Sequence, residues 1–210
     1  MNGSAAESWS ALSVPWRAAL EMAWASFREG GIGVGAVLSD SAGAILGRGR
    51  NQRFGSAGAG SLLAHAEMQA LAALPARKDR PRDVVLHTTL HPCPMCLGAV
   101  VVARVSQLHF GAVDPTWLGI EKLPGLSDEV RRRWPVVSGP LGGPVGEWAA
   151  VLPCLNTTGS LAQAVEAAAP HRAELARAVA SRLGRGPDLP GTATQAMDRV
   201  WDLVTGPWRP

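Results

Sequence analysis

Two short strings constrain this 210-residue chain more than any other feature: His65-Ala66-Glu67 and Pro92-Cys93-Pro94-Met95-Cys96. Each opens a stretch whose apolar spacing is helical, and a Val-, Leu- and Thr-rich strand pattern at residues 84–90 lies between them. A chain that places its most reactive residues at two helix starts, with a strand between, alternates strands with helices and argues for an α/β layered sheet. Hydrophobic residues make up 47% and charged residues 18% of the chain, so it can bury a sizeable core and is not globally disordered.

The flanking pattern agrees. Residues 1–14 are small and polar and read as a flexible lead-in. After Pro15, the residues Trp16, Ala19, Leu20, Ala23, Trp24 and Phe27 recur at helical spacing. Residues 34–38 and 44–49 read as a hairpin about a turn at 39–43. Further helices are expected over 62–74, 94–105 and 127–134, and further strands over 84–90, 106–112 and 136–138. A Gly/Pro cluster at 139–144 then marks a boundary. Beyond it only helical patterns occur, at 145–155, 160–169, 171–183 and 192–204. The expected organisation is an α/β domain over 15–145 and an all-helical C-terminal extension over 146–210.

Several classes are set aside by composition. Three cysteines are too few, and odd in number, for a secreted disulfide scaffold. The N-terminus lacks a basic segment followed by an apolar one, and the longest apolar run, residues 97–103, is far short of the ~20 residues a membrane helix needs. A soluble, cytoplasmic protein is expected. The formal charge of +3 is too small to establish a nucleic-acid partner. Residues 1–145 carry 14 Lys+Arg against 11 Asp+Glu, whereas residues 146–210 carry 6 of each, so the extension does not look like a basic RNA-binding arm.

The chemistry rests on the conjunction of the two strings. Cys93 and Cys96 lie three apart at a helix start, where the first turn brings them to one face and its unpaired N–H groups favour thiolates. With His65 they make three ligands, and three protein ligands around zinc leave one position for water. A metal so held acidifies that water towards ~7. Glu67, on the helix that His65 opens, can reach the pocket without being a ligand and move the water's proton. H-x-E alone is nearly noise, and C-x-x-C alone also fits a redox pair or half a zinc ribbon. Together they match the H-x-E and P-C-x-x-C signature of zinc-dependent nucleobase deaminases.

Residues 15–145 resemble the cytidine/deoxycytidylate deaminase superfamily, and within it the bacterial tRNA adenosine deaminase and guanine deaminase branch. Gly33-Val34-Gly35-Ala36-Val37 matches its first strand, His65-Ala66-Glu67-Met68 and Pro92-Cys93-Pro94-Met95-Cys96-Leu97-Gly98-Ala99 its zinc motifs, and Phe110-Gly111-Ala112-Val113-Asp114 the strand and loop that follow. The resemblance implies a three-layer α/β/α sandwich, one Zn2+ per chain, hydrolytic deamination and a homodimer. It also implies a substrate contact for Asn51 and places Asp114 on a pocket loop. His91 stands where the family commonly has Glu and is read as pocket lining. Phe54 and Trp117, on loops near the pocket, could stack on a purine ring or pack in the core.

Other features carry less. Gly31-Ile32-Gly33-Val34-Gly35-Ala36 fits a dinucleotide fingerprint in letters but runs from a helix into a strand, the wrong order. His87 and His109 lie within strand patterns and read as core or sheet-face residues. The runs Arg131-Arg132-Arg133 and Arg77-Lys78-Asp79-Arg80-Pro81-Arg82 read as solvated surface, with RNA-backbone contact as the sharper alternative. Cys154 is expected to be a buried free thiol in the extension. The leading expectation is a zinc-dependent hydrolase releasing ammonia from a small-molecule base or nucleoside, purines such as guanine or adenine favoured. A tRNA adenosine deaminase, a cytosine/cytidine-type deaminase and an inactive deaminase-fold scaffold are the alternatives. The apolar faces of the extension are expected to dock on the catalytic layer and cap the pocket.

Overall fold

A computed structural model of the protein describes residues 3–54, 61–75 and 83–206. Among them, five strands form one sheet: β1 (Gly35–Asp40), β2 (Ile45–Arg50), β3 (Val84–Thr88), β4 (Gln107–Phe110) and β5 (Val136–Ser138). The order is β2-β1-β3-β4-β5, with β1 antiparallel to β2 and β3, and with β3, β4 and β5 parallel. The helices are α1 (Ala5–Ser10), α2 (Val14–Arg28), α3 (Ala66–Ala72), α4 (Pro94–Ala103), α5 (Asp128–Arg133), α6 (Gly143–Val151), α7 (Gly159–Ala168), α8 (Pro170–Leu183), α9 (Ala193–Arg199) and α10 (Trp201–Val204).

Strand alternation sorts the sheet into two faces. Pairing register places Ala36, Leu38, Leu86 and Leu108 on one face and Val37, Val85, His87 and His109 on the other. The first face packs with Ala66 and Ala70 of α3 and Leu97 and Val100 of α4 in one buried cluster. Against the second face lies α2, whose Leu20, Ala23, Trp24 and Phe27 join Trp148, Leu152, Leu175, Val179 and Met197 in another. The three-layer α/β/α sandwich follows, with the C-terminal helices thickening one outer layer.

Two glycines set how closely the helices approach. A Cβ on Gly35 would lie 2.1 Å from the Ala19 carbonyl oxygen of α2, and one on Gly49 would lie 2.0 Å from the Ala66 carbonyl oxygen of α3. The helices therefore rest on bare backbone at these points. Gly35, which falls within the apparent nucleotide fingerprint, is a packing contact.

The extension is tied to α2 by hydrogen bonds as well as by apolar contact. Trp24 Nε1 donates to Pro190 O at 3.0 Å, Asn156 Nδ2 donates to Phe27 O at 2.9 Å and Gly31 O at 3.0 Å, and Ala193 N donates to Glu21 Oε2 at 3.0 Å.

The structure corrects some expectations. Residues 1–14 do not form a flexible lead-in throughout: residues 5–10 are helix α1. Ser4 Oγ accepts from Glu7 N at 3.2 Å and Glu7 Oε2 accepts from Ser4 N at 2.7 Å, a reciprocal cap, and Ala5 is buried. The helix expected over 62–74 begins at Ala66, because residues 61–64 turn locally through Ser61 Oγ, which accepts from Leu63 N at 3.1 Å. The final helix breaks at Val200 into α9 and α10. The stretch read as helix over 145–155 tightens to a 3-10 turn at Leu152–Cys154, where Pro153 removes an amide donor.

Trp148 is fully buried where α2 and the extension meet. Trp148→Ala is expected to cost about 3–5 kcal/mol of unfolding free energy, the range for deleting a buried aromatic. Urea unfolding followed by far-UV circular dichroism checks this.

Candidate active site

The topology gathers loops at one edge of the sheet. Asn51 directly follows β2, His91 follows the end of β3, and Asp114 follows the end of β4. In open α/β sheets ligands bind outside the carboxyl ends of the strands, and these three strands run the same way. The N-termini of α3 and α4 arrive at this edge with His65 and Cys93 as their N-cap residues.

The N-cap positions explain why the strings work. An N-cap residue has extended backbone while its neighbours have already turned helical. His65 (φ −78°, ψ 154°) and Cys93 (φ −69°, ψ 172°) thus point their side chains past the first turn rather than along the helix. Cys96 sits one turn into α4 and is fully buried. Cys93 Sγ lies 3.7 Å from Cys96 Sγ and 3.7 Å from His65 Nδ1, and Cys96 Sγ lies 3.6 Å from His65 Nδ1.

These separations are those of a tetrahedral zinc site. With Zn–S of about 2.3 Å and Zn–N of about 2.0 Å, two sulfurs stand ~3.8 Å apart, and a sulfur and a nitrogen ~3.6 Å apart. The donor set is also right: two thiols and an imidazole suit zinc better than a hard cation. Among the described residues this is the one such cluster of His, Cys and acidic groups, and His91 is not in it.

Electrostatics already separate the two sulfurs. The hydrogen bond between the two sulfurs lowers the Cys93 pKa to about 4 against the opposing cost of burial. The same contact raises that of Cys96, helped by burial. Hydrogen bonding to Cys93 raises His65. Metal binding displaces these protons.

Glu67 is not a ligand. It is 4% exposed, in the first turn of α3, with Oε2 3.5 Å from Cys96 Sγ. Burial raises its pKa above the usual carboxylate range. Thr88 Oγ1 lies 3.1 Å from Glu67 Oε1 and 3.1 Å from Leu90 O. A hydroxyl has one proton. Thr88 therefore donates either to an ionised Glu67 or to Leu90 O while accepting from a protonated Glu67. The arrangement accommodates both states of the carboxyl.

A cavity of about 120 Å³ lies over this cluster. His65, Glu67, Cys93, Asn51, His91, Asp114 and Trp117 all line it. Asn51 is buried; its Oδ1 accepts from Arg53 N at 3.0 Å, leaving its NH2 end as a donor for the cavity. Burial lowers the His91 pKa, and its ring meets Phe110 edge-on at 4.7 Å. Asp114 Oδ1 accepts from Thr116 N at 2.9 Å and Thr116 Oγ1 at 2.6 Å, a turn that carries Trp117 to the rim. Phe54 is not in this cavity. It is 55% exposed and lines a larger hollow of about 910 Å³ outside, with the Arg53 guanidinium 4.8 Å from its ring.

The far wall comes from the extension. Ala150, Pro153, Cys154, Thr157, Leu161, Val165 and Arg172 complete the same cavity. Cys154 is a free thiol, as expected, but it is only half-buried and faces the cavity, with burial raising its pKa to about 11. Thr88, Thr157 and Arg172 carried no sequence signal as site residues.

The histidines on the other sheet face stand apart. His109 Nδ1 lies 3.3 Å from His87 Nε2, and Trp16 packs edge-on to His87 at 5.2 Å. Arg131, Arg132 and Arg133 pair with Asp128 and Glu129 on their own helix. Residues 77–82 of the other basic run lie outside the described residues.

A mixed sheet thus delivers two helix N-termini, an N/S/S donor set that could hold a metal and a buried carboxyl to one cavity of an α/β fold. Residues 12–112 match the model of the cytidine and deoxycytidylate deaminase zinc-binding region. A cytosine deaminase of Candida albicans is 36% identical over 108 residues, 50% of this chain and 68% of that protein. The tRNA-specific adenosine deaminase of Haemophilus influenzae is 42% identical over 100 residues, 47% of this chain and 56% of that one. A tRNA(Ile)-lysidine synthase of Deinococcus radiodurans is 38% identical over 139 residues, and the chain spans 22% of its length. A crystal structure of a protein in complex with 2,6-diaminopurine shares the fold, with a TM-score of 0.52 and 21% identity over 71% of this chain and 85% of that one. The chain belongs to the cytidine and deoxycytidylate deaminase family, whose matched region is a zinc-binding one. No helix among the described residues is long and apolar enough to cross a membrane.

Cys96→Ala is expected to purify with zinc well below the single ion that one His/Cys/Cys cluster holds, whereas Cys154→Ala keeps it. Metal analysis of chelator-free preparations checks both.

Proposed function

We propose that the protein releases ammonia from a free nucleobase or nucleoside, with purines such as guanine or adenine favoured, rather than from a base within tRNA. The wall that the extension places over the cavity carries this reading: Leu161 and Val165 of α7 and Arg172 of α8 stand across from the zinc ligands. Small-molecule sites are concave and bury most of their ligand. A flipped-out anticodon base would bring its flanking backbone with it, and that backbone needs an open, basic approach. The neutral extension and the self-paired arginines of α5 support the small substrate.

His65, Cys93 and Cys96 would hold the zinc, which would supply a water of pKa lowered towards neutrality. With zinc held there, Glu67 would take one proton from the water at its carboxylate and pass it to the ring nitrogen beside the amino-bearing carbon; it would then pass the second proton, from the hydroxyl added at that carbon, to the amino group, which leaves as ammonia. Thr88 follows by switching its own proton between Glu67 Oε1 and Leu90 O. Asn51 and Asp114 offer a donor and an acceptor to the ring edge, His91 lines the cavity as a neutral imidazole, and Trp117 covers the ring face. Phe54 guides entry from the outer hollow.

An ammonia-release screen of the zinc-loaded protein over bases, nucleosides, nucleotides and tRNA tests the reading. Turnover of a free base or nucleoside without RNA is expected. Inosine formed only in folded tRNA, with affinity falling steeply as salt rises, would contradict it. Glu67→Gln is expected to retain zinc and lose roughly 10²–10⁴-fold in kcat, the range for a positioned acid–base group; steady-state kinetics beside metal analysis checks both halves.

A further inference from the structure

Arg172 is a half-buried cation with no acidic partner among the described residues. It lies in the first turn of α8, which has no acidic residue there and no side-chain cap. A positive group at a helix N-terminus opposes the helix dipole, so this placement weakens the helix that carries it. Two other arginines of α8 are paired with acids: Arg177 with Glu166 at 2.7 Å and Arg182 with Asp202 at 3.1 Å. Arg172 makes no ion pair among the described residues; Nη1 donates to a neutral carbonyl, Val113 O, at 2.7 Å. It is half-buried, and it is the one charged side chain the extension contributes to the catalytic cavity.

The bond to Val113 fixes the guanidinium. Val113 precedes Asp114, so the same contact anchors the loop that carries Asp114 and Trp117 to the extension. A guanidinium has five N–H donors in a rigid plane and no acceptor. One donor is spent on Val113, and Arg172 lines a cavity whose other charged lining groups are Arg53, Glu67 and Asp114. A preorganised cationic donor in a confined cavity selects for a strong acceptor on the ligand and rejects a ligand that leaves it unpaired.

We infer that Arg172 is a specificity-determining residue that recognises a ring carbonyl, so that the substrates are amino-oxo heterocycles of the guanine or cytosine kind and not adenine. The inference rests on the proposed small-molecule reading and narrows it. In such a ring the amino-bearing carbon stands over the zinc ligands and Glu67, and the carbonyl lies on the remaining edge, towards α8. Adenine carries the amino group and no carbonyl, and leaves the guanidinium with a weaker ring-nitrogen acceptor. The contact adds no chemical step; it orients the ring.

The test compares each oxo base with its oxo-free analogue. 2-Aminopurine has guanine's amino group without the carbonyl, and 4-aminopyrimidine stands in the same relation to cytosine. Wild type, Arg172→Met and Arg172→Lys are each assayed, zinc-loaded, for kcat/KM on the preferred base, and for kcat/KM or inhibition constant with the analogue. The expected result is a roughly 10- to 100-fold loss for Arg172→Met on the oxo base, the range for a charged hydrogen bond, with little change on the analogue and partial recovery in Arg172→Lys. A residue that only props up the loop would depress both substrates equally. Equal losses, or no loss, would overturn this inference while leaving the small-molecule reading standing; so would a wild type that prefers adenine. Turnover confined to tRNA would overturn both.

Discussion

Everything at the functional edge depends on keeping three soft donors within 3.7 Å of one another before any ion arrives. Two thiols and an imidazole have no reason to crowd together in an apolar protein, and burying them unmatched is costly. The fold holds them there by placing two N-cap residues side by side, and that needs α3 and α4 to sit low on the same sheet face. Gly49 permits the first, and the buried packing of Leu97 and Val100 secures the second. The helix N-termini then favour thiolate and carboxylate.

The pocket built on this centre has two origins. The sheet edge supplies ligands, the proton-bearing carboxyl and the ring-edge contacts. The extension supplies the opposite wall, docked through Trp148, Leu152 and Leu175 onto α2. In the proposed reading, substrate range is set by the added layer, because the zinc side is committed to chemistry. Arg172 belongs to that layer and reaches back to the loop of the catalytic domain. Cys154 lies in the same wall and makes the cavity a target for thiol reagents, although its raised pKa keeps it a poor nucleophile near neutrality.

The centre was legible because its residues mark their own backbone geometry. H-x-E and P-C-x-x-C are helix-start strings, and the five strand patterns read from the sequence are the five strands of the sheet. Asn51, His91 and Asp114 were reachable because each directly follows a strand end or lies a few residues past one. Thr88 was not, since a Thr in a buried strand looks like any β-former until Glu67 is placed beneath it. Arg172 and Thr157 were invisible for a different reason: their role depends on tertiary docking, which no local period encodes. Phe54 lines the adjoining hollow with Arg53, His65 and Trp117 rather than the core, because a loop aromatic near a motif does not reveal which side of the rim it occupies. Residues 5–10 read as flexible because a helix this short is held by a cap and by α9 rather than by propensity.

A zinc centre held by His65, Cys93 and Cys96 would keep its fourth position open to water. Zinc K-edge X-ray absorption on the full chain, purified without chelator, reads that coordination. Two sulfur and two nitrogen or oxygen scatterers are expected in a tetrahedral shell, unchanged when Cys154 is replaced by Ala. A third sulfur that disappears with Cys154, or an absence of stoichiometric zinc, would contradict it.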